Sequence, residues 1–145
     1  MNKIGLYLDG NDKLPIPPPY LDKWLYAKNI QEFVTILKDF ISRYGDLPDL
    51  ISLNHDLNDE HIMLELKRPS NKPIFYEMYL KNDSGFHAAS QLIRMCEENN
   101  VVLGRVVAHG LNKTGSENII KFINEYQEIK GNISRAFNIN WEYEK

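Results

Sequence analysis

Three short apolar runs, each closing abruptly on polar residues, constrain this chain more than any other feature. KIGLYL at Lys3 to Leu8 stops at Asp9, Gly10, Asn11 and Asp12; DLISL stops at Asn54, His55 and Asp56; RVVA stops at His109 and Gly110. Runs of this length backed by turn formers predict buried strands that end in polar loops. Helical periodicity fills the intervals. Ile30, Phe33, Val34, Leu37, Phe40 and Ile41 recur at spacings of three and four, with Asn29 placed to cap a helix that runs to about Tyr44. Ser84 opens a second helix to about Asn99, with Phe86, Ala89, Leu92, Ile93 and Cys96 on one face, and Thr114 or Ser116 starts a third to about Lys130. Strands alternating with helices predict a mostly parallel sheet covered by helices on both faces, an α/β three-layer sandwich.

The remaining segments complete five strands. KWLYAK at Lys23 to Lys28 reads as a strand, and FNINWEYE alternates Phe137, Ile139, Trp141 and Tyr143 as the last one. Between the first two strands, KLPIPPPYLD holds four of the seven prolines and predicts an extended loop, because proline cannot donate the bonds of a helix interior. His61 to Arg68 and Pro73 to Leu80 flank PSNK and predict a β-hairpin inserted at about 58–83. At 145 residues the chain is expected to form one domain, 1–145.

Charge and composition exclude several function classes. With 17 Lys+Arg against 20 Asp+Glu the formal net charge is -3, which disfavours broad contact with the phosphate backbone of duplex DNA. No apolar run approaches the ~18 residues of a membrane span, and Asp9 interrupts the first run before a signal-peptide core develops. A cytoplasmic protein with no membrane partner is the expectation; oligomeric state stays open. The single cysteine, Cys96, allows no internal disulfide and argues against a cysteine-based zinc site, so a metal here would use oxygen or imidazole ligands.

In open parallel sheets, ligands bind beyond the carboxyl ends of the strands. The chemistry is therefore expected from Asp9, Asp12, His55, Asp56, His109, Asn112 and the amides after Gly110. Asp9 and Asp56, with Asp12 nearby, form an oxygen-ligand set suited to Mg²⁺; without a metal, two close carboxylates would push one pKa up. His55 and His109 are the side chains suited to proton exchange near neutrality. NKTGSEN opens a helix, whose unpaired N–H groups favour an anion. Plainer readings stand beside these. Strand-end Asp residues often serve turns, His109 in an apolar run is commonly a hydrogen-bonded structural residue, and Thr114 to Glu117 fits a capping box. His61 reads as surface, His87 as able to face the rim, and Cys96 as core. Tyr76, Tyr79, Trp141 and Tyr143 read most simply as sheet packing, though on an exposed hairpin they could stack on bases.

The order LYLD, SLNHDL, SGFHA and AHGLNKTGSEN resembles the cyclic-phosphate processing receiver-like family, a divergent branch of the receiver fold of response regulators. Members read like LDD-x-R-x-P, SLDHDLG, a TG at a helix start and HSxNxxG. Asp9, His55, Asp56, His109 and Asn112 match directly. Gly10 stands where a second acid is usual, Asn54 replaces an Asp, and Gly110 removes a hydroxyl, while Asp12 and Lys13 are the residues able to compensate if their loop folds back. The resemblance covers most of the chain outside the hairpin and implies a flavodoxin-like sheet and a phosphoesterase acting on cyclic phosphates of RNA ends or small nucleotides. In that reading His55, His109 and Asp56 are catalytic, and Asp9, Asp56 and Asp12 hold Mg²⁺. Asn112, Gly110, Thr114, Gly115 and Lys13 bind substrate. Two alternatives are a degenerate module that binds a nucleotide or protein without turnover, and a signalling receiver phosphorylated on Asp56.

Overall fold

Alternation along each strand decides how this chain folds. The computed structural model describes residues 3–11, 13–57 and 84–143; the expected hairpin and Asp12 lie outside the described residues. In chain order the elements are β1 (Ile4–Leu8), β2 (Lys23–Ala27), α1 (Ile30–Tyr44), β3 (Leu50–Asn54), α2 (Gly85–Asn99), β4 (Arg105–His109), α3 (Lys113–Ile129) and β5 (Phe137–Asn138). The strands form a five-stranded sheet in the order β2-β1-β3-β4-β5, every pair parallel. The result is an α/β fold consistent with a flavodoxin-like topology.

Among the described residues the helices cover one face of the sheet only, and the other face is helix-free among those residues. Leu6, Leu8, Ile51, Leu53, Val106 and Ala108 meet Phe33 and Leu37 of α1, Ala89 and Leu92 of α2, and Ile119 and Ile123 of α3 in one buried cluster. The opposite parity, Tyr7, Trp24, Leu50 and Val107, packs instead with Leu21, Ile139 and Trp141. Strand order explains the difference. The steps β2 to β3, β3 to β4 and β4 to β5 all advance in one direction, so right-handed crossovers keep their helices on one face. The step from β1 to β2 goes the other way and must cross the other face, where the proline-rich loop replaces a helix.

Local chemistry sets the boundaries. Asn29 caps α1 by accepting from the Glu32 N–H at 2.9 Å, and Gly45 ends the helix at φ 69°. Ser84 caps α2, and His87 Nδ1 accepts from the Ser84 N–H at 2.8 Å, so His87 completes a capping box at the helix start that abuts the end of β3 through the Gly85 N–H and the His55 carbonyl. The third helix starts earlier than expected: Asn112, not Thr114 or Ser116, is its cap, accepting from the Gly115 N–H at 2.8 Å. The last strand is shorter than FNINWEYE predicts, ending at Asn138, after which the Ile139 N–H still donates to the Ala108 carbonyl at 2.8 Å. Cys96 is buried in the core, and burial pushes its thiol up to about 12. No described helix is long and apolar enough to cross a membrane.

Candidate functional site

The carboxyl ends of β1, β3 and β4 lie side by side, with Leu8 beside Leu53 and Asn54 beside His109 in the ladder. Strand parity then sorts the polar residues into two groups. Asp9 and His109 continue the helix-free face of Tyr7 and Val107, whereas His55 continues the helix-covered face of Leu53.

On the helix-free side, His109 is held at both nitrogens. Its Nε2 lies 3.1 Å from Asp9 Oδ2 and its Nδ1 lies 2.6 Å from Ser52 Oγ. Trp141 Nε1 donates to the same Ser52 oxygen at 2.8 Å, so the serine hydroxyl donates to Nδ1 and His109 carries its proton on Nε2, facing Asp9. Tyr7 stacks on the imidazole at 4.4 Å between ring centroids, donates its hydroxyl to Asp9 Oδ2 at 3.2 Å, and meets the Tyr143 hydroxyl. Burial pushes the His109 pKa below its ordinary value despite the Asp9 charge. Burial alone would raise Asp9, but hydrogen bonds from His109, the Asn11 N–H and the Asn54 side chain outweigh it and hold the carboxyl below its usual value. Burial, the Tyr143 hydroxyl and the Asp9 charge keep the Tyr7 phenol protonated. A neutral imidazole thus donates to an ionised carboxylate, with side chains only 4% and 5% exposed.

On the helix side, His55 Nδ1 lies 2.9 Å from Asp56 Oδ1, and Asn112 Nδ2 donates to that same oxygen at 2.8 Å. Asn112 Oδ1 is committed to the Gly115 N–H, which fixes the amide orientation. Both His55 Nδ1 and Asn112 Nδ2 therefore act as donors to Asp56, and the 3.2 Å between them is proximity, not a bond. His55 is fully buried while the Asp56 side chain is 13% exposed.

Close packing accounts for the glycines at this edge. A Cβ at Gly10 would stand 2.5 Å from the Leu57 carbonyl oxygen, so an acid does not fit there without a backbone shift. Gly110, at φ 110°, would place a Cβ 2.3 Å from Asn54 Oδ1, and Gly115 would place one 2.3 Å from the His55 ring. Asn54 also accepts from the Asp56 N–H at 3.2 Å. These glycines are packing requirements of the rim.

The structure thus gathers Asp9, His109, His55, Asp56 and Asn112 at one edge, with Gly110, Thr114 and Gly115 at the adjoining start of α3. Lys13 instead lines a cleft on the helix-free face with Trp24 and Tyr143. Asp12 lies outside the described residues. The Asp9 carboxylate already accepts from Tyr7, Asn11 and His109, with the Asn54 side chain also bonded to it, and among the described residues no group of three or more His, Cys, Asp or Glu is arranged around a metal. Sequence reasoning missed Ser52, although it shares its strand face with His109, and missed Tyr7, two residues before Asp9 and so on the same side. It also passed over Lys113, exposed at the first position of α3. No protein-family model, curated protein or solved structure matches this chain.

Proposed function

We propose that the rim of Asp56, Asn112 and the start of α3 binds a phosphoester, with a cyclic phosphate on a nucleotide or an RNA end as the leading class, and holds it without turnover. The observation that carries the choice between holding and opening is the state of the histidines. Opening a cyclic phosphate takes a base for water and an acid for the leaving oxygen. His109 has both nitrogens engaged, and His55 is wholly buried. The phosphate preference rests on α3, whose first turn has no acidic residue and begins with exposed Lys113. A cation at a helix N-terminus opposes the macrodipole, and an anion between them relieves that opposition.

Incubation with 2′,3′-cyclic nucleotides, with and without Mg²⁺ or EDTA, tests this reading directly: the expected result is saturable binding, weakened by Lys113→Ala, with no linear product. The hydrolytic reading keeps one specific support. Donation from His55 Nδ1 to Asp56 leaves the lone pair on Nε2, the tautomer a general base needs. Product formation that disappears in a folded His55→Ala variant would establish it in place of simple binding. Phosphoryl signalling predicts a gain of one phosphoryl mass on Asp56 after treatment with acetyl phosphate; the two donors already on its Oδ1 oppose this.

A further inference from the structure

The helix-free face carries a cleft of about 550 Å³, within the size range of small-molecule sites. None of the rim residues lines it. Its walls are the proline-rich loop at Lys13, Leu14, Pro15, Ile16 and Pro17, the start of β2 at Asp22, Lys23 and Trp24, and Tyr143. The geometry points to a second binding site here, for a small anionic ligand that carries a planar ring, a mononucleotide being the simplest example.

Three observations converge on that class. The walls are braced before any ligand arrives: the Ile16 N–H donates to the Glu142 carbonyl at 2.7 Å, tying loop to C-terminal segment, and the Tyr143 hydroxyl is bonded to Tyr7 of the sheet. A ring held this way, and 37% exposed, offers a stacking surface with little freedom left to lose. Charge supplies the second argument. Lys13 and Lys23 are exposed and form no ion pair among the described residues, whereas the single wall carboxylate, Asp22, accepts from the Lys3 N–H at 2.6 Å. In a chain of net charge -3, two lysines beside aromatic rings make a local preference for an anion. Third, Trp24 lines the wall together with Tyr143, so two aromatic side chains border the space beside the lysines.

Isothermal titration of the full chain with adenosine monophosphate, adenosine and inorganic phosphate tests the site. The monophosphate should bind at least about tenfold tighter than either fragment. Lys13→Ala combined with Lys23→Ala, both on the surface, should weaken it at least about tenfold, and Tyr143→Ala should weaken adenosine and monophosphate alike. Lys113→Ala separates this cleft from the rim: cleft binding persists in that variant even if the rim reading fails. The inference is overturned if the monophosphate does not bind, if it binds no better than phosphate, or if its affinity survives the double lysine variant and falls with Lys113→Ala.

Discussion

The two histidine–aspartate pairs at this sheet edge use the same functional groups and end in opposite situations. His109 and Asp9 come from different strands, 100 residues apart, and are sealed under Tyr7, Trp141 and Tyr143. His55 and Asp56 are neighbours in sequence, with the histidine buried and the carboxylate partly in solvent. Parity accounts for this. A strand-end residue on the helix-free side turns under the C-terminal segment, whereas one on the helix side meets the first turn of α3. The first pair is a structural joint between three strands; the second is the only one that presents a charged group at the surface.

Removing one partner of the sealed pair should give the largest effect. His109→Ala strips a donor from a buried carboxylate and leaves Ser52 and Trp141 facing a void, so a loss of about 3–5 kcal/mol is expected in denaturant unfolding. Asp56→Asn, at the partly exposed carboxylate, should cost much less. Equal losses would abolish the distinction between the pairs. The sealed pair also sets the acid limit. Both folded pKa values lie below their ordinary 6.5 and 3.8, so the unfolded chain takes up each proton first. Stability contributed by neutral His109 is complete above about 6.5 and falls as pH drops below it; that from ionised Asp9 is lost at still lower pH. Unfolding midpoints measured from neutral pH downward should decline through the histidine range, and His109→Ala should flatten that decline. A wild-type midpoint unchanged through this range would mean His109 is not held neutral.

Gly115→Ala probes the other pair through packing. Its Cβ would sit 2.3 Å from His55 Cγ, and neither the helix backbone nor a buried ring yields cheaply. A cost of about 1–3 kcal/mol is expected, together with displacement of His55 from Asp56. Gly104→Ala, where a Cβ meets nothing within 4 Å, is the matched control and should be close to neutral. A harmless Gly115→Ala would show that the contact between α3 and the ring is loose.

How much of this was legible beforehand follows the same divide. Strand bodies and the caps at Asn29 and Ser84 were readable because local periodicity and capping chemistry decide them. So was the gathering of Asp9, His55, Asp56, His109 and Asn112 at one edge, which follows from strand ends in a parallel sheet. Strand order was legible only through the resemblance, whose flavodoxin-like sheet has the order found, and that order sends the proline-rich loop, already read as extended, across the face that carries no described helix. The roles of Ser52, Tyr7, Trp141 and Tyr143 depend on that unseen layer: buried Tyr and Trp need partners for their polar ends, but only the folded C-terminal segment shows which partners. Thr114 misled because its capping-box spacing is genuine, while Asn112 reaches the same first-turn amides from a position that also serves Asp56.

That double service gives the smallest and sharpest test. Asn29 and Asn112 are both helix caps, each accepting one backbone N–H, and replacing either with Ala should cost about 1 kcal/mol. Only Asn112 also donates to Asp56 Oδ1 from its amide nitrogen. Asn112→Asp keeps an acceptor for the Gly115 N–H, and so most of the cap, but sets a second carboxylate against Asp56. Stability should therefore stay nearer wild type than in Asn112→Ala, while affinity for a phosphoester at the rim falls further, because anion repulsion is added to the lost donor. Asn29→Ala should lower the unfolding midpoint and leave that affinity unchanged. If Asn112→Asp and Asn29→Ala bind alike, the α3 start has no part in holding the anion, and the contrast between a sealed pair and a working pair reduces to burial alone.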